Sequence, residues 1–218
     1  RSGTFARAAK RRGMDAHLRA GIAIYNAGGY HAAHDAWEDH WLDLESGADD
    51  ERFLHGLIQF TAAVYHATEG NDSGATGLAG SAREYLADLP ADYRDVNVGE
   101  GRDFLAGLGA DPGLLADRDP LVLRYDGRRL ALDDLDLEAT SVAAEVLAEE
   151  EGYDEETVAD AVRYARADAG SDATGSPFIP LVFDFVRDAE HRQIVFQRLS
   201  EHVGRRRNRE DDVAGLFE

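Results

Sequence analysis

The sequence predicts a mainly α-helical protein: an antiparallel helical bundle followed by a further helical region. Apolar residues recur at helical spacings of three and four along most of the 218 residues, whereas strand-like alternation is scarce. Glycine pairs, prolines and short polar stretches separate the periodic segments, as is typical of helices joined by short loops. With 44% hydrophobic residues, the chain can form one sizeable core or two smaller ones.

The first half of the chain is predicted to contain five helices. Leu18, Ile22 and Tyr25 mark the first helix, which is expected to end at Gly28 because glycine adopts a positive φ at little cost. The third helix is apolar around most of its circumference and is therefore predicted to be central and buried. The predicted ranges are 14–27, 29–44, 50–69, a helix after Asn71 that ends before Pro90, and 100–108.

The second half is predicted to begin near Asp111. Residues 121–132 read as two short extended runs around Asp126 and Gly127, which favour a tight hairpin turn. Helices are predicted at 138–151, 154–168 and 179–203, with a loop at 170–177. The predicted organisation is a basic N-terminal arm at 1–13, a helical bundle at 14–110 and an acidic, mostly helical C-terminal region at 111–218.

The charge composition indicates a protein adapted to concentrated salt. There are 43 acidic and 23 basic side chains, a net charge of −20, and Lys10 is the single lysine. A surface rich in short carboxylates and nearly free of lysine stems suits a protein that stays hydrated where salt screens its charges. We therefore predict a haloarchaeal-type protein of a salt-rich cytoplasm; an acidic mesophilic protein is the alternative.

Composition also excludes several function classes. No apolar run approaches the ~20 residues of a membrane-spanning helix, and the absence of cysteine excludes disulfides, thiolate metal sites and cysteine nucleophiles. The negative charge argues against general nucleic-acid binding. Arginine clusters in 1–12 and 205–209 are interpreted as solvated arms or helix ends that neutralise the protein's own acids, with contact to RNA or an acidic partner as the alternative. The sequence is compatible with a homo-oligomer as well as with a monomer.

Candidate functional side chains occur on the second predicted helix. Around the helix, His34 lies within about 60° of Tyr30, Trp37 and Trp41, and Glu38 lies about 40° away on the other side. His34 is therefore predicted to point inward with the two tryptophans, with Glu38 one turn further on. Asp35 lies at a larger angle around the helix and can serve as a solvated surface acid or as an auxiliary to His34 and Glu38. An imidazole beside a carboxylate suits metal ligation, proton transfer or the satisfaction of a buried polar group.

A second polar group is predicted on the third helix. His55, Gln59 and His66 fall in a stripe only about 40° wide on an otherwise apolar helix. If this stripe faces His34 and Glu38, the side chains could bind a divalent metal or a small ligand between the two helices, with His34, Glu38 and His66 as metal ligands and His55 as an auxiliary. The alternative is a structural hydrogen-bond network within a non-catalytic scaffold or interaction protein. The pattern specifies no reaction.

Three motifs in order resemble domain-of-unknown-function family 309, a family of small helical-bundle proteins. They are the stretch from Tyr25 through Tyr30, His34 and Glu38 to Trp41, the stretch from Phe53 to His66, and Gly70-Asn71 followed by Gly74-Ala75. The resemblance covers about residues 15–110. Where the family usually has Glu and Gln, this chain has Asp35 and His55. The resemblance implies a helical bundle and a candidate polar site at His34, Asp35, Glu38, Gln59 and His66, without an established activity.

Overall fold

The structure is a computed structural model that describes residues 2–171 and 175–214, with side chains described for 13–171 and 175–212. These residues form nine α-helices and one two-stranded antiparallel sheet, which confirms the predicted mainly α-helical fold with a short hairpin. The helices are α1 (Ser2–Asn26), α2 (Tyr30–Trp41), α3 (Asp49–Thr68), α4 (Asp72–Leu86), α5 (Val98–Ala110), α6 (Leu137–Glu150), α7 (Glu155–Ala169), α8 (Phe178–Arg187) and α9 (Arg192–Ala214); the strands are β1 (Arg124–Tyr125) and β2 (Arg128–Arg129).

The chain divides into two compact units, the first running to Leu135 and the second beginning at Asp136. In the first unit, each helix from α1 to α5 packs on the next in sequence. Helix α3 buries nine residues, as its apolar circumference predicts. The largest fully buried side chains of this unit include Trp37, Phe53 and Phe60. This core fixes the rotation of α2 and α3 and thereby the direction in which their polar side chains point.

Two predicted helix ends follow from local chemistry. Gly28 has φ +90°, which lets the chain leave α1 without a Cβ clash. Asn71 caps α4, because its side-chain oxygen accepts a hydrogen bond from the backbone N–H of Gly74 at 3.0 Å. Helix α2 is shorter than predicted: it ends at Trp41, and the backbone N–H of Leu44 bonds to the carbonyl of Trp41 in a tighter turn.

Helix α1 begins at Ser2, so the predicted N-terminal arm has a helical backbone from residue 2 to residue 13; Arg1 lies outside the described residues. Residues 1–13 were expected to form an arm because of their cluster of basic side chains. Alanine, arginine and lysine dominate this stretch, however, and all three have high helix propensity. Propensity can therefore extend a helix beyond the part that its apolar face specifies.

The predicted hairpin packs within the first unit. Arg124 pairs with Arg129 across the two strands, and Asp126 and Gly127 form the turn with φ values of +51° and +72°. The hydroxyl of Tyr125 donates to Asp15 on α1 at 2.7 Å. By its contacts, the segment 111–135 thus belongs to the first unit, whereas the sequence analysis placed it in the C-terminal region. That residues 14–110 fold without this segment stays a prediction.

A strained turn after α4 is held by one carboxylate. Arg94 and Asp95 have φ values of +55° and +62°, which cost energy for residues other than glycine. The Arg94 guanidinium donates two hydrogen bonds to Asp50 at the start of α3, and the Tyr93 hydroxyl donates a third at 2.8 Å. Partial burial alone would raise the pKa of Asp50, but these hydrogen bonds and the Arg94 charge outweigh it and lower that pKa.

The second unit contains α6 to α9, packed around Tyr164, Phe178 and Phe185. The predicted single helix at 179–203 is wrong, because α8 and α9 are separate helices. Asp188 leaves the helical conformation with φ −102° and ψ 77°, and its carboxylate accepts the backbone N–H of His191. Such local side-chain bonds compete with helix continuation.

The arginines near the end of α9 bind acids of the same unit. Arg206 pairs with Asp168 at 2.7 Å, and Arg207 pairs with Asp160. They thus neutralise carboxylates on α7. None of the described helices has the length and apolar character that crossing a membrane would require.

Candidate functional site

Helix α2 presents two opposite faces. Its buried residues, most of them at spacings of three and four, are Ala32, Ala33, Ala36, Trp37 and His40. Residues with the same spacing on the other side form a polar face: His31, His34, Asp35 and Glu38. At 100° per residue, the centres of the two faces lie almost diametrically apart. The packing that buries Trp37 therefore collects two imidazoles and two carboxylates on one surface of the helix.

Three side chains of this polar face form a compact group. One ligand atom each from His34, Asp35 and Glu38 can be chosen so that all lie within 4.8 Å of one another. His34 Nδ1 lies 2.8 Å from Asp35 Oδ1, and His31 Nδ1 lies 3.3 Å from the other oxygen of the same carboxylate. Asp35 thus bridges two imidazoles. We call His34, Asp35 and Glu38 the α2 cluster.

The hydrogen bond between His34 and Asp35 sets the chemistry of the imidazole. An ionised carboxylate can only accept, so the proton in this bond belongs to His34 Nδ1. In the neutral ring the lone pair is then on Nε2, the atom free to bind a metal ion or to take a proton. A carboxylate behind a histidine is the usual arrangement that orients a metal-ligating imidazole. Asp35 can therefore act as a ligand or as the group that positions His34.

His34 was predicted to point into the core, but its side chain is only partly buried. Its side chain is 30% exposed, and that of Asp35 is 23% exposed, so both lie at the margin of the core. The buried face of α2 was expected to be centred on the two tryptophans, but it is centred on the alanines, whose small side chains allow close helix packing. Trp37 is fully buried, whereas Trp41 is only half-buried.

The candidate residues of α3 do not join the α2 cluster. His66 Nδ1 accepts a hydrogen bond from the Asn71 amide at 2.9 Å, at the junction of α3 and α4. Gln59 is half-buried, and no hydrogen bond connects it to His34 or Glu38 in the described part of the chain. Among the described residues, the group of three close potential metal ligands that contains His34 is completed by Asp35 and Glu38, and neither His55 nor His66 belongs to it. A single site that combines His34 and Glu38 with the polar residues of α3 stays a prediction.

His55 belongs to an aromatic stack. Its ring lies 3.9 Å from the Tyr85 ring and 4.6 Å from the Trp41 ring, measured between centroids. Its Nδ1 is 3.9 Å from a carboxylate oxygen of Glu51. Burial lowers the pKa of His55 despite the opposing effect of the Glu51 charge. These contacts make His55 a packing residue that links α2, α3 and α4.

Sequence reasoning missed a second histidine pair. His17 on α1 stacks on the buried His40 of α2 at 5.2 Å, and His17 Nδ1 lies 2.8 Å from the carbonyl oxygen of Ala36. The alanines of α2 could have predicted it, because His40 follows Ala33 and Ala36 at helical spacing and therefore shares their buried face. The stack contributes to the α1–α2 interface and is separate from the α2 cluster.

Comparisons with known proteins agree with the motif resemblance. Residues 18–78 match the model of a family described as Domain of unknown function (DUF309). The chain is also similar to an "Uncharacterized protein" of Aquifex aeolicus (strain VF5), with 28% identity over 81 residues. That match covers 37% of this chain and 24% of the relative, so the chain spans about a quarter of the length of the curated relative it matches. Together these findings support the family resemblance: residues 18–78, which contain the α2 cluster, are similar to domain-of-unknown-function family 309.

Proposed function

We propose that the first unit binds a divalent metal ion, with Zn²⁺ the best match, through the α2 cluster. The observation that carries this proposal is the 4.8 Å grouping of one imidazole and two carboxylates on a single helix. Ligand atoms around one ion at bond lengths of about 2.0–2.2 Å lie within such a distance of each other. His34 and Glu38 are one helical turn apart, the spacing at which two side chains can reach a common point.

The ligand chemistry favours zinc over magnesium or calcium. Mg²⁺ and Ca²⁺ prefer all-oxygen sites, whereas imidazole is a good ligand for zinc and other transition metals. With His34 and Glu38 as ligands and Asp35 either ligating or orienting the imidazole, at most three coordination positions come from the α2 cluster. An ion held in this way keeps at least one position for water or substrate, as in catalytic rather than structural zinc sites. Metal-assisted activation of a water molecule is the reaction class that such a site would support.

The competing function is a non-catalytic scaffold in which the same residues form a structural network. The hydrogen bond between His34 and Asp35 supports it, because it satisfies both groups without a metal. Partial exposure speaks against it, since side chains that reach water do not need an internal network to satisfy their polar groups. The two functions predict different consequences of mutation.

The test is zinc binding by the full chain purified without a histidine tag, measured by metal analysis and calorimetric titration. We expect one Zn²⁺ per chain that His34→Gln and Glu38→Gln each weaken by at least about tenfold, with a smaller loss for Asp35→Asn. His66→Gln and Asp39→Asn are matched controls, because they remove the same groups from α3 and from the exposed side of α2. Equal zinc binding by all variants would exclude the α2 cluster. Loss of several kcal/mol of stability in His34→Gln without a change in zinc binding would favour the scaffold.

We further propose that the protein works in the salt-rich cytoplasm of a haloarchaeal-type organism. The net charge of −20 and the near absence of lysine support this setting. Zinc titrations therefore belong in high salt, where the native fold of such a protein is expected to be most stable.

A further inference from the structure

A cleft in the first unit lies apart from the α2 cluster. It has a volume of about 370 Å³ and is formed by the end of α1, the turn into α2 and the segment 119–129. Ligand pockets in proteins occupy roughly 300–1,000 Å³, so this cleft fits a small metabolite rather than a large cofactor. The cleft shares no residue with the α2 cluster. Its lining includes Tyr25, Asn26, Gly28 and Tyr30, the first residues of the family motif.

Hydrogen bonds hold the two walls of the cleft in place. The Tyr25 hydroxyl donates to the carbonyl oxygen of Leu121 at 2.9 Å. The Asn26 amide donates to the carbonyls of Leu123 and Leu130 at 2.8 and 2.9 Å, and its oxygen accepts the backbone N–H of Leu123 at 3.0 Å. The segment that closes the cleft is thus fixed to the end of α1. A binding site whose walls are already ordered loses little entropy when a ligand enters.

The cleft combines an aromatic wall with one charge of each sign. The half-buried Tyr30 ring packs against Tyr25 with centroids 5.3 Å apart. Asp119 contributes an exposed carboxylate, for which no hydrogen bond or ion pair exists within the described residues. Arg129 donates one hydrogen bond to the carbonyl oxygen of Asn26 at 2.9 Å, which leaves most of its donors available. Pro120 and Val122 supply apolar surface.

We infer that this cleft binds a small zwitterion with an apolar side chain, the chemistry of an apolar α-amino acid. Its ammonium group pairs with Asp119, its carboxylate pairs with Arg129, and its side chain packs against Tyr30 and Val122. Arginine presents a planar fork that matches a carboxylate, and Asp119 supplies the opposite charge on the same segment. Asp119 and Arg129, the two charged residues of the cleft, lie outside the family match at 18–78.

Calorimetric titration of the full chain with L-leucine, L-valine and L-phenylalanine tests the inference. Two analogues of leucine each lack one charge: 4-methylpentanoate has no ammonium group, and 3-methylbutylamine has no carboxylate. We expect at least one of the three amino acids to bind and, if it is leucine, each analogue to bind about tenfold more weakly or worse. Valine and phenylalanine have corresponding analogues. Absence of binding by all three amino acids up to about 10 mM would overturn the inference.

Variants identify the cleft as the binding site. Asp119→Asn and Arg129→Gln should each weaken amino-acid binding about tenfold, whereas Asp119→Asn should not weaken binding of the analogue without an ammonium group, because that analogue has no positive charge for Asp119 to pair with. Asp117→Asn and Arg128→Gln are matched controls, since both residues are exposed neighbours outside the cleft. If Arg129→Gln disturbs the hairpin, Arg129→Lys keeps the charge and should retain part of the affinity. Binding that is equal in Asp119→Asn, Arg129→Gln and wild type would place the ligand elsewhere and refute the assignment.

Discussion

Replacing Gly21 with alanine tests the packing that orients α2. Gly21 lies in the middle of α1, facing Trp37, whose side chain is fully buried. A Cβ atom added at Gly21 would lie under 3.0 Å from three atoms of the Trp37 indole. The indole cannot withdraw easily, because its N–H donates to the carbonyl oxygen of Leu18 at 3.3 Å and its ring is surrounded. Close approach of α1 and α2 therefore requires glycine at this position.

Two opposing effects decide the sign of the change. Alanine in a helix interior is favoured over glycine by about 1 kcal/mol. Overpacking a well-packed core typically costs about 1–3 kcal/mol, and a rigid ring at such short separation belongs at the upper end or beyond. We expect Gly21→Ala to lower the free energy of unfolding by about 2 kcal/mol, which corresponds to a fall in Tm of about 4–8 °C for a chain of this size.

Gly77→Ala is the matched control. Gly77 lies inside α4, is exposed, and has nothing within 4 Å of an added Cβ atom. Only the propensity effect operates there, so this variant should gain up to about 1 kcal/mol. Urea unfolding followed by tryptophan fluorescence is the assay, since both tryptophans of the chain lie in α2. A Gly21→Ala variant at least as stable as wild type would refute the packing argument.

Three further predictions concern stability. Because its partners lower the pKa of Asp50, that carboxylate stabilises the fold above its unfolded pKa of ~3.9 and loses this effect as the pH falls through the folded value. Asp50→Asn should thus cost about 1.5–3 kcal/mol at pH 7, and the difference from wild type in urea unfolding should narrow in acid; a difference independent of pH would contradict this. A fragment of residues 1–135 should unfold cooperatively by fluorescence and at a higher temperature than residues 1–110, which lack the bonds from Asn26 to Leu123 and Leu130; equal melting of both fragments would show that the segment 111–135 adds nothing. The Tm of the full chain should rise steeply from dilute buffer to molar KCl, because salt screens the net charge of −20; a flat curve would remove the halophilic interpretation.

Elements specified by local chemistry could be predicted from the sequence. The apolar circumference of α3, the Asn71 cap and the hairpin turn at Asp126 and Gly127 all depend on residues close in the chain. The break at Asp188 was missed, because apolar periodicity continues across it, whereas the Asp188 carboxylate accepts the backbone N–H of His191 in the turn before α9. Residues 2–13 were missed as a helix for the opposite reason, since they have propensity without an apolar face.

Only the part of the candidate site that lies within one helix could be predicted from the sequence. His34, Asp35 and Glu38 come together because Glu38 lies four residues after His34 and three after Asp35, the spacings at which side chains on a helix are neighbours. Their relation to Gln59 and His66 depends on how α2 and α3 are rotated against each other, which the whole core decides. Small alanines, rather than the large tryptophans, centre the buried face of α2, and hydropathy alone gives them little weight.

The most direct test of the metal proposal is a crystal structure of the full chain soaked in Zn²⁺, with anomalous diffraction recorded at the zinc absorption edge. We predict a peak about 2.0–2.2 Å from His34 Nε2 and from a carboxylate oxygen of Glu38. Asp35 should either complete the coordination or keep its hydrogen bond to His34 Nδ1. The peak should disappear in Glu38→Gln and persist in His66→Gln. Zinc peaks elsewhere in the crystal, with no peak at the α2 cluster, would contradict the metal proposal.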